Sequence, residues 1–184
     1  MPPQGLLCAR GDAIPCGAMT ALVTHRLYGR PCTAGDSGHI AALLGDHAVR
    51  RWVLPAGREW SAARAGALAR ALDAHWQAHG WGPRLWFADG ALVGLAGLRF
   101  AVIGGEGAVE VTLAVAADRQ GLGFGRELMG AVMAEAPQIS SRVRAAVLEG
   151  NRRSAALLAS LGFRPVGRLC EAGQPCAVLE WVAR

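Results

Sequence analysis

The chain has 184 residues, 52% of them hydrophobic and 18% charged, which suits one domain with a substantial core and excludes wholesale disorder. Nineteen basic side chains against 14 acidic ones give a net charge of +5, and every one of those cations is an arginine. With no lysine, phosphate loops of the GKS or GKT kind, Schiff-base chemistry and pyridoxal attachment are all excluded, because each needs a lysine amine.

The net charge is compatible with nucleic acid, but the arginines are scattered and form no basic run with interleaved aromatics; an anionic small ligand explains the excess equally well, and nucleic acid is not an expected partner. Cys8, Cys16, Cys32, Cys170 and Cys176 are odd in number and include no C-x-x-C pair. Neither a zinc site nor a disulfide framework is expected, and a reducing, cytoplasmic compartment is. Apolar stretches such as 91–98 are interrupted, there by Arg99, well short of bilayer length, so no membrane association is expected. Residues 1–18 read as a flexible N-terminal tail and residues 19–184 as the folded domain.

In chain order, 22–30 alternates apolar and polar residues up to Pro31, which predicts a strand. After a turn at 33–36, Ile40, Ala41, Leu43 and Leu44 predict a helix ending at Gly45. The stretch from Asp46 to Glu59 is expected as a loop or broken helix, and Leu68, Leu72 and Trp76 mark a long amphipathic helix stopped at Gly80. Strands over 84–88 and 92–102 are joined by Asp89-Gly90, a strong hairpin signal, and a third strand over 109–115 follows the Gly104-Gly105 turn. A glycine-rich loop over 121–125 then leads into a helix over 126–135, broken by Pro137, and a strand over 142–148. A helix over 151–161 and a terminal hairpin, 163–169 with 176–182, complete the order β-α-α-β-β-β-α-β-α-β-β. That is a mixed α/β (α+β) single domain of about seven mostly antiparallel strands and four helices.

The most informative segment is Gln120-Gly121-Leu122-Gly123-Phe124-Gly125-Arg126, between a strand and a helix. Alternating glycines bend the chain sharply and present successive N–H groups, and the helix N-terminus adds a partial positive charge, so the turn suits a pyrophosphate. The plainer alternative is that the glycines only make a tight connection. A dinucleotide fingerprint needs G-x-G-x-x-G, and Arg126 stands where its last glycine belongs.

These residues resemble the Q/R-x-x-G-x-G/A pyrophosphate loop of the GNAT superfamily of acyl-CoA-dependent N-acyltransferases. Asn151-Arg152-Arg153-Ser154, followed by Leu157 and Leu161-Gly162-Phe163, resembles the N-x-x-S…L-G-F helix of the RimJ/RimL-like branch. Thr24-His25-Arg26-Leu27-Tyr28-Gly29-Arg30-Pro31 resembles the same branch's opening T-x-R-L-x-L-R-P, with Asp36 at its usual acidic position. The likeness runs from about Leu22 to Val182.

The resemblance implies a GNAT-like fold, acetyl-CoA (or another acyl-CoA) as cofactor, and attack of an amine on its thioester. It implies cofactor contacts from Val115, Gln120, Gly121, Leu122, Gly123, Phe124, Gly125, Arg126, Asn151 and Ser154. Glu110 stands where the superfamily often places a base; the alternative is a strand carboxylate paired with an arginine. Many members use a tyrosine on the later helix, where this chain has Leu158; its single tyrosine is Tyr28, so Ser154 is the expected hydrogen-bond donor to the leaving sulfur. Asn151 suits a pantetheine contact, a helix N-cap, or both.

The resemblance implies acceptor contacts from the segment between the first two helices and from the terminal hairpin, including residues around Cys170, with nearby tryptophans. These include Arg50, Trp52 and Trp81, with Val49, Arg51, Leu54, Arg58, Trp60 and Trp76 around them; the tryptophans also fit a core role. The expected partner is an amine acceptor, on a protein N-terminus, a peptide or a small molecule, bound by a monomer or homodimer. The alternative is a non-catalytic acyl-CoA-binding module on the same scaffold. His75 and His79 lack a third ligand in the sequence pattern, so no metal is expected.

Overall fold

The computed structural model describes residues 21–53 and 59–183. The expected tail, Cys8, Cys16, Leu54, Pro55, Gly57 and Arg58 lie outside the described residues. The elements are β1 (Leu22–Val23), β2 (Tyr28–Pro31), α1 (Ser37–Gly45), α2 (His47–Arg50), α3 (Ala62–His79), β3 (Arg84–Ala88), β4 (Ala91–Ile103), β5 (Glu106–Val115), α4 (Phe124–Ile139), β6 (Arg142–Leu148), α5 (Arg152–Ser160), β7 (Arg164–Glu171) and β8 (Gln174–Val182).

The strands form one sheet in the order β1-β2-β3-β4-β5-β6-β8-β7, antiparallel everywhere except between β5 and β6. Period-two alternation sends neighbouring side chains to opposite faces, so Leu85 and Leu95 pack on one side while Trp86 and Ala96 pack on the other. Each face has its own core. Ile40, Leu43 and Leu44 of α1 and Ala65, Ala69 and Leu72 of α3 cover the first. Leu128, Met129, Val132 and Met133 of α4 and Leu158 of α5 cover the second. The indole of Trp86 lies so close over Gly29 that an added Cβ would meet its ring at 2.8 Å, which is why β2 carries glycine there.

Three elements differ from the sequence expectation. The first strand is divided, because Thr24 and Leu27 close a turn in which the Thr24 amide donates to the Leu27 carbonyl (2.8 Å) and the Leu27 amide to Thr24 Oγ1 (3.0 Å). A short helix, α2, forms after Asp46, whose side chain accepts the Ala48 amide. Finally, α4 continues through Pro137 to Ile139; the proline falls in the last turns, where only one ladder bond is lost to it.

The β5–β6 junction positions the site. The two parallel strands share a single registered pair, Glu110 with Arg144, and beyond it their C-terminal halves are no longer paired. The sheet therefore opens between β5 and β6, at the end where α4 and α5 begin.

Candidate active site

The loop before α4 is held from the far edge of the sheet. The Glu127 carboxylate accepts from Thr24 Oγ1 (2.6 Å), the Arg26 amide (2.8 Å) and Arg26 Nε (2.7 Å). Arg26 Nη1 donates to the Leu122 carbonyl (3.1 Å), and its guanidinium lies 4.3 Å from the Phe124 ring centre. These contacts hold Glu127 below its usual carboxylate range, because the bonds from Thr24 and Arg26 outweigh the effect of burial. They also explain the T-x-R pattern at the start of the chain: it fastens the glycine loop. Arg26→Ala is expected to weaken CoA binding about tenfold by calorimetry, the loss of about one charge-assisted bond. Arg26→Lys should restore little, because an ammonium does not reproduce the fork.

Gly121 and Gly123 have φ of +80° and +81°, the left-handed region that glycine enters without a Cβ penalty. Gly123 is the N-cap of α4 and offers no side chain, so nothing in the loop covers the helix end. Among the described residues, the amides of Gly121, Leu122, Gly123, Phe124 and Gly125 have no hydrogen-bond partner. The Arg126 amide is different: it bonds the Gly123 carbonyl (3.1 Å), and its side chain is exposed outside the cavity described next. Phe124 turns its ring into the core and leaves only its main chain to the loop.

A cavity of about 670 Å³ opens beside the loop; of the residues from Gly121 to Gly125, Gly121 and Gly125 line it, and Leu122, Gly123 and Phe124 do not. One wall is Arg51, Trp52 and Val53; the other is Leu113 to Val115, Gln120, Gly121 and Gly125, closed by Asn151, Arg152, Arg153, Ser154 and Leu157. Gln120 buckles the two sides together, donating from Nε2 to the Val115 carbonyl (3.0 Å) and accepting from Arg153 Nη1 (3.1 Å). A Cβ at Gly125 would sit 3.6 Å from Leu157 Cδ2 and 3.8 Å from Val115 Cγ2, so a side chain there would fill the space between β5 and α5. Asn151 caps α5 by accepting the Ser154 amide (3.2 Å) and borders the cavity as well. The Ser154 hydroxyl has no partner among the described residues. Leu158, where a tyrosine was absent from the sequence pattern, is buried in the core, and Tyr28 lies at the other end of the sheet.

A second, smaller cavity of about 130 Å³ continues this one and shares Trp52, Val53 and Leu113 with it. It is lined by Arg99, Glu110, Thr112, Glu171, Gln174 and Cys176. Glu110 is nearly buried and accepts from Arg99 Nη2 at 2.6 Å. Burial pushes its carboxyl above the ordinary range; Arg99 pulls the other way and Glu171 adds to the rise. Cys176 is buried, its thiol pushed up first by burial and then by Glu171, and is correspondingly unreactive.

Of the three acceptor residues expected, Trp52 alone borders the cleft. Arg50 closes the end of α1, donating to the carbonyls of Leu44 (3.0 Å) and Gly45 (2.7 Å). Trp81 is buried against His75 and Phe100, with ring centres 4.8 and 5.0 Å away. The terminal hairpin, expected around Cys170, does line the small arm, through Glu171, Gln174 and Cys176; the sequence pattern singles out neither Glu171 nor Arg99 as neighbours of Glu110. Nor does the sequence pattern show that Arg51 and Arg152 line the same cavity as the glycine loop.

Free amides at an uncapped helix end, with Arg51, Arg152 and Arg153 on the same cavity, make a fitting seat for a diphosphate. A buried carboxylate closes the adjoining arm. Such a fold and cleft suit a group-transfer enzyme that uses a phosphate-bearing carrier. Residues 26–164 match the family model of the acetyltransferase (GNAT) domain. The chain belongs to that family, the acetyl-CoA-dependent acetyltransferases.

Among solved structures, a protein of Bordetella pertussis assigned to the GNAT-family acetyltransferases is similar to 88% of this chain and 98% of its own, at 27% identity and a TM-score of 0.77. The ribosomal-protein-S5-alanine acetyltransferase of Vibrio fischeri covers 89% and 96%, at 17% identity and 0.71. Mycobacterium smegmatis RimJ, solved in complex with CoA-disulfide, covers 85% and 82%, at 23% identity and 0.67. No curated protein sequence matches the chain. Among the described residues no helix is long and apolar enough to cross a membrane.

Proposed function

We propose that the protein is an N-acetyltransferase of the RimJ/RimL-like kind, acting in the cytoplasm on the α-amine of a protein N-terminus, a peptide or a small amino compound. The observation that carries this reading is the continuity of the two arms through Trp52, Val53 and Leu113, which joins a diphosphate seat to a buried carboxylate. When bound, acetyl-CoA supplies the activated acetyl thioester. The amides of Gly121 to Gly125 bind its diphosphate, and Arg51, Arg152 and Arg153 add positive charge. Asn151 and Val115 flank the pantetheine, and the Ser154 hydroxyl donates a hydrogen bond to the sulfur. Holding both reactants side by side in one ternary complex is worth roughly 7–11 kcal/mol when alignment is good.

Glu110 takes up the proton that the acceptor nitrogen loses. An α-amine, with a pKa near 7.7–8, costs about 1 kcal/mol to neutralise at pH 7, whereas a lysine-like amine near 10.4 costs roughly 4–5 kcal/mol. One carboxylate already held by an arginine suits the smaller demand. The Vibrio fischeri relative is named for an alanine of ribosomal protein S5, an acceptor of the favoured kind.

The test is release of free CoA thiol from acetyl-CoA with two acceptor sets, peptides bearing a free N-terminus and amino-blocked peptides bearing a lysine side chain. The expected result is turnover with kcat/KM at least about tenfold higher on the α-amines, in line with their larger neutral fraction. Turnover confined to the lysine set, or none on either, overturns the reading.

A further inference from the structure

Glu110 shares its small arm with two side chains of opposite charge, Arg99 and Glu171, and neither belongs to its own strand. Arg99 stands directly across the β4–β5 ladder in register with it, Nη2 to Oε2 at 2.6 Å, and is itself partly exposed. Glu171, at the end of β7, lines the same small arm and has no ion-pair partner among the described residues. The other charges near Glu110 are already paired. Arg144, its register partner on β6, is held by Glu106 (2.9 Å) and Glu180 (3.1 Å), so its charge is neutralised locally. On β8 the facing titratable group is the Cys176 thiol, kept protonated by burial. His75 lies close enough to Arg99 to feel its charge and is held neutral, first by burial and then by His79.

The geometry points to Arg99 and Glu171 as opposed positioning residues for the Glu110 carboxylate, Arg99 holding it as a charged acceptor and Glu171 loosening that hold. This rests on Glu110 being the base of the proposed function. The physical need is plain. A carboxylate buried without a partner stays protonated and takes up nothing, whereas one locked in a strong ion pair is too weak a base. Burial, one fixed cation and one unpaired anion place Glu110 between those limits. Neither partner has to touch the acceptor to do this.

The experiment follows Glu110 directly, by carbon NMR titration of protein labelled at the glutamate carboxyl carbons, with Glu110→Gln identifying its resonance. The acid limb of kcat/KM on a peptide α-amine is recorded in parallel. Arg99→Gln should raise the Glu110 titration midpoint by about one pH unit, the effect of removing an adjacent opposite charge. Glu171→Gln should lower it by less, and Arg99→Lys should stay near the parent value. Midpoints that do not move, or that move in the same direction in both glutamine variants, overturn the inference, as does Arg99→Lys behaving like Arg99→Gln. Because Glu171 is exposed, its variant keeps the test decisive even where Arg99→Gln folds poorly. If the midpoints shift as expected while the acid limb stays put, the tuning stands and the assignment of Glu110 as the base falls.

Discussion

Glu110→Gln is expected to lower kcat on an α-amine acceptor by about 10²- to 10⁴-fold, the range for removing a general base, while leaving the affinity for CoA unchanged. The amide is nearly the same shape and still offers an oxygen to Arg99, so the β4–β5 ladder keeps its contact. What it loses is proton affinity. The diphosphate seat lies in the other arm, so binding calorimetry with CoA should give the parent value.

The pH profile separates this loss from simple damage. Burial raises the Glu110 pKa above the ordinary carboxylate value of 4.5, so the working, deprotonated form is present above that raised value. Activity is therefore lost as the pH falls through it. In Glu110→Gln the acid limb assigned to this carboxyl should disappear, leaving the limb set by the amine of the acceptor. An unchanged limb in the variant would refute the assignment. So would near-parental kcat on every α-amine.

Much of this site was legible in the chain before folding, and the reason is local chemistry. Glycines at 121, 123 and 125 after a strand and before a helix declare a bend that exposes amides, whatever packs around them. The Arg99–Glu110 pair is legible in the sequence too. A hairpin turning at Gly104-Gly105 pairs residues whose numbers sum to 209, which sets 99 against 110 and 94 against 115. By contrast, Glu171 reaches the arm only because β8 sits between β6 and β7 in the sheet, an order that no local pattern encodes. Arg50 misled for a similar reason: an arginine four residues after Asp46 reads as a free charge until α1 ends beneath it and leaves two carbonyls to satisfy. Trp81, expected at the acceptor site or in the core, takes the core role, packed against His75 and Phe100.

The largest stability effect is expected at Glu135, on the helix that carries the glycine loop. Arg84, at the start of β3, is almost completely buried and makes a two-point pair with Glu135, Nη1 to Oε2 at 2.7 Å and Nη2 to Oε1 at 3.0 Å. The Trp76 ring of α3 lies 4.8 Å from the guanidinium, and its Nε1 donates to the Pro83 carbonyl at 2.7 Å. One pair thus joins α3, β3 and α4. Burial lowers the Arg84 pKa and raises that of Glu135, in both cases against the pull of the partner. Desolvation thus opposes attraction at each ion, and buried pairs of this kind commonly add no more stability than well-packed apolar side chains.

Removing one member is a different matter. Glu135→Ala leaves the Arg84 charge buried without its carboxylate and is expected to cost about 3–5 kcal/mol, a large share of the roughly 5–15 kcal/mol that holds a domain together. At about 2–4 °C per kcal/mol for a chain of this size, the thermal midpoint should fall by about 6–20 °C. The double change Arg84→Met with Glu135→Leu removes both charges and fills much of the space, so it should recover most of that loss. If the double variant is instead less stable than Glu135→Ala alone, the pair contributes attraction that exceeds its desolvation.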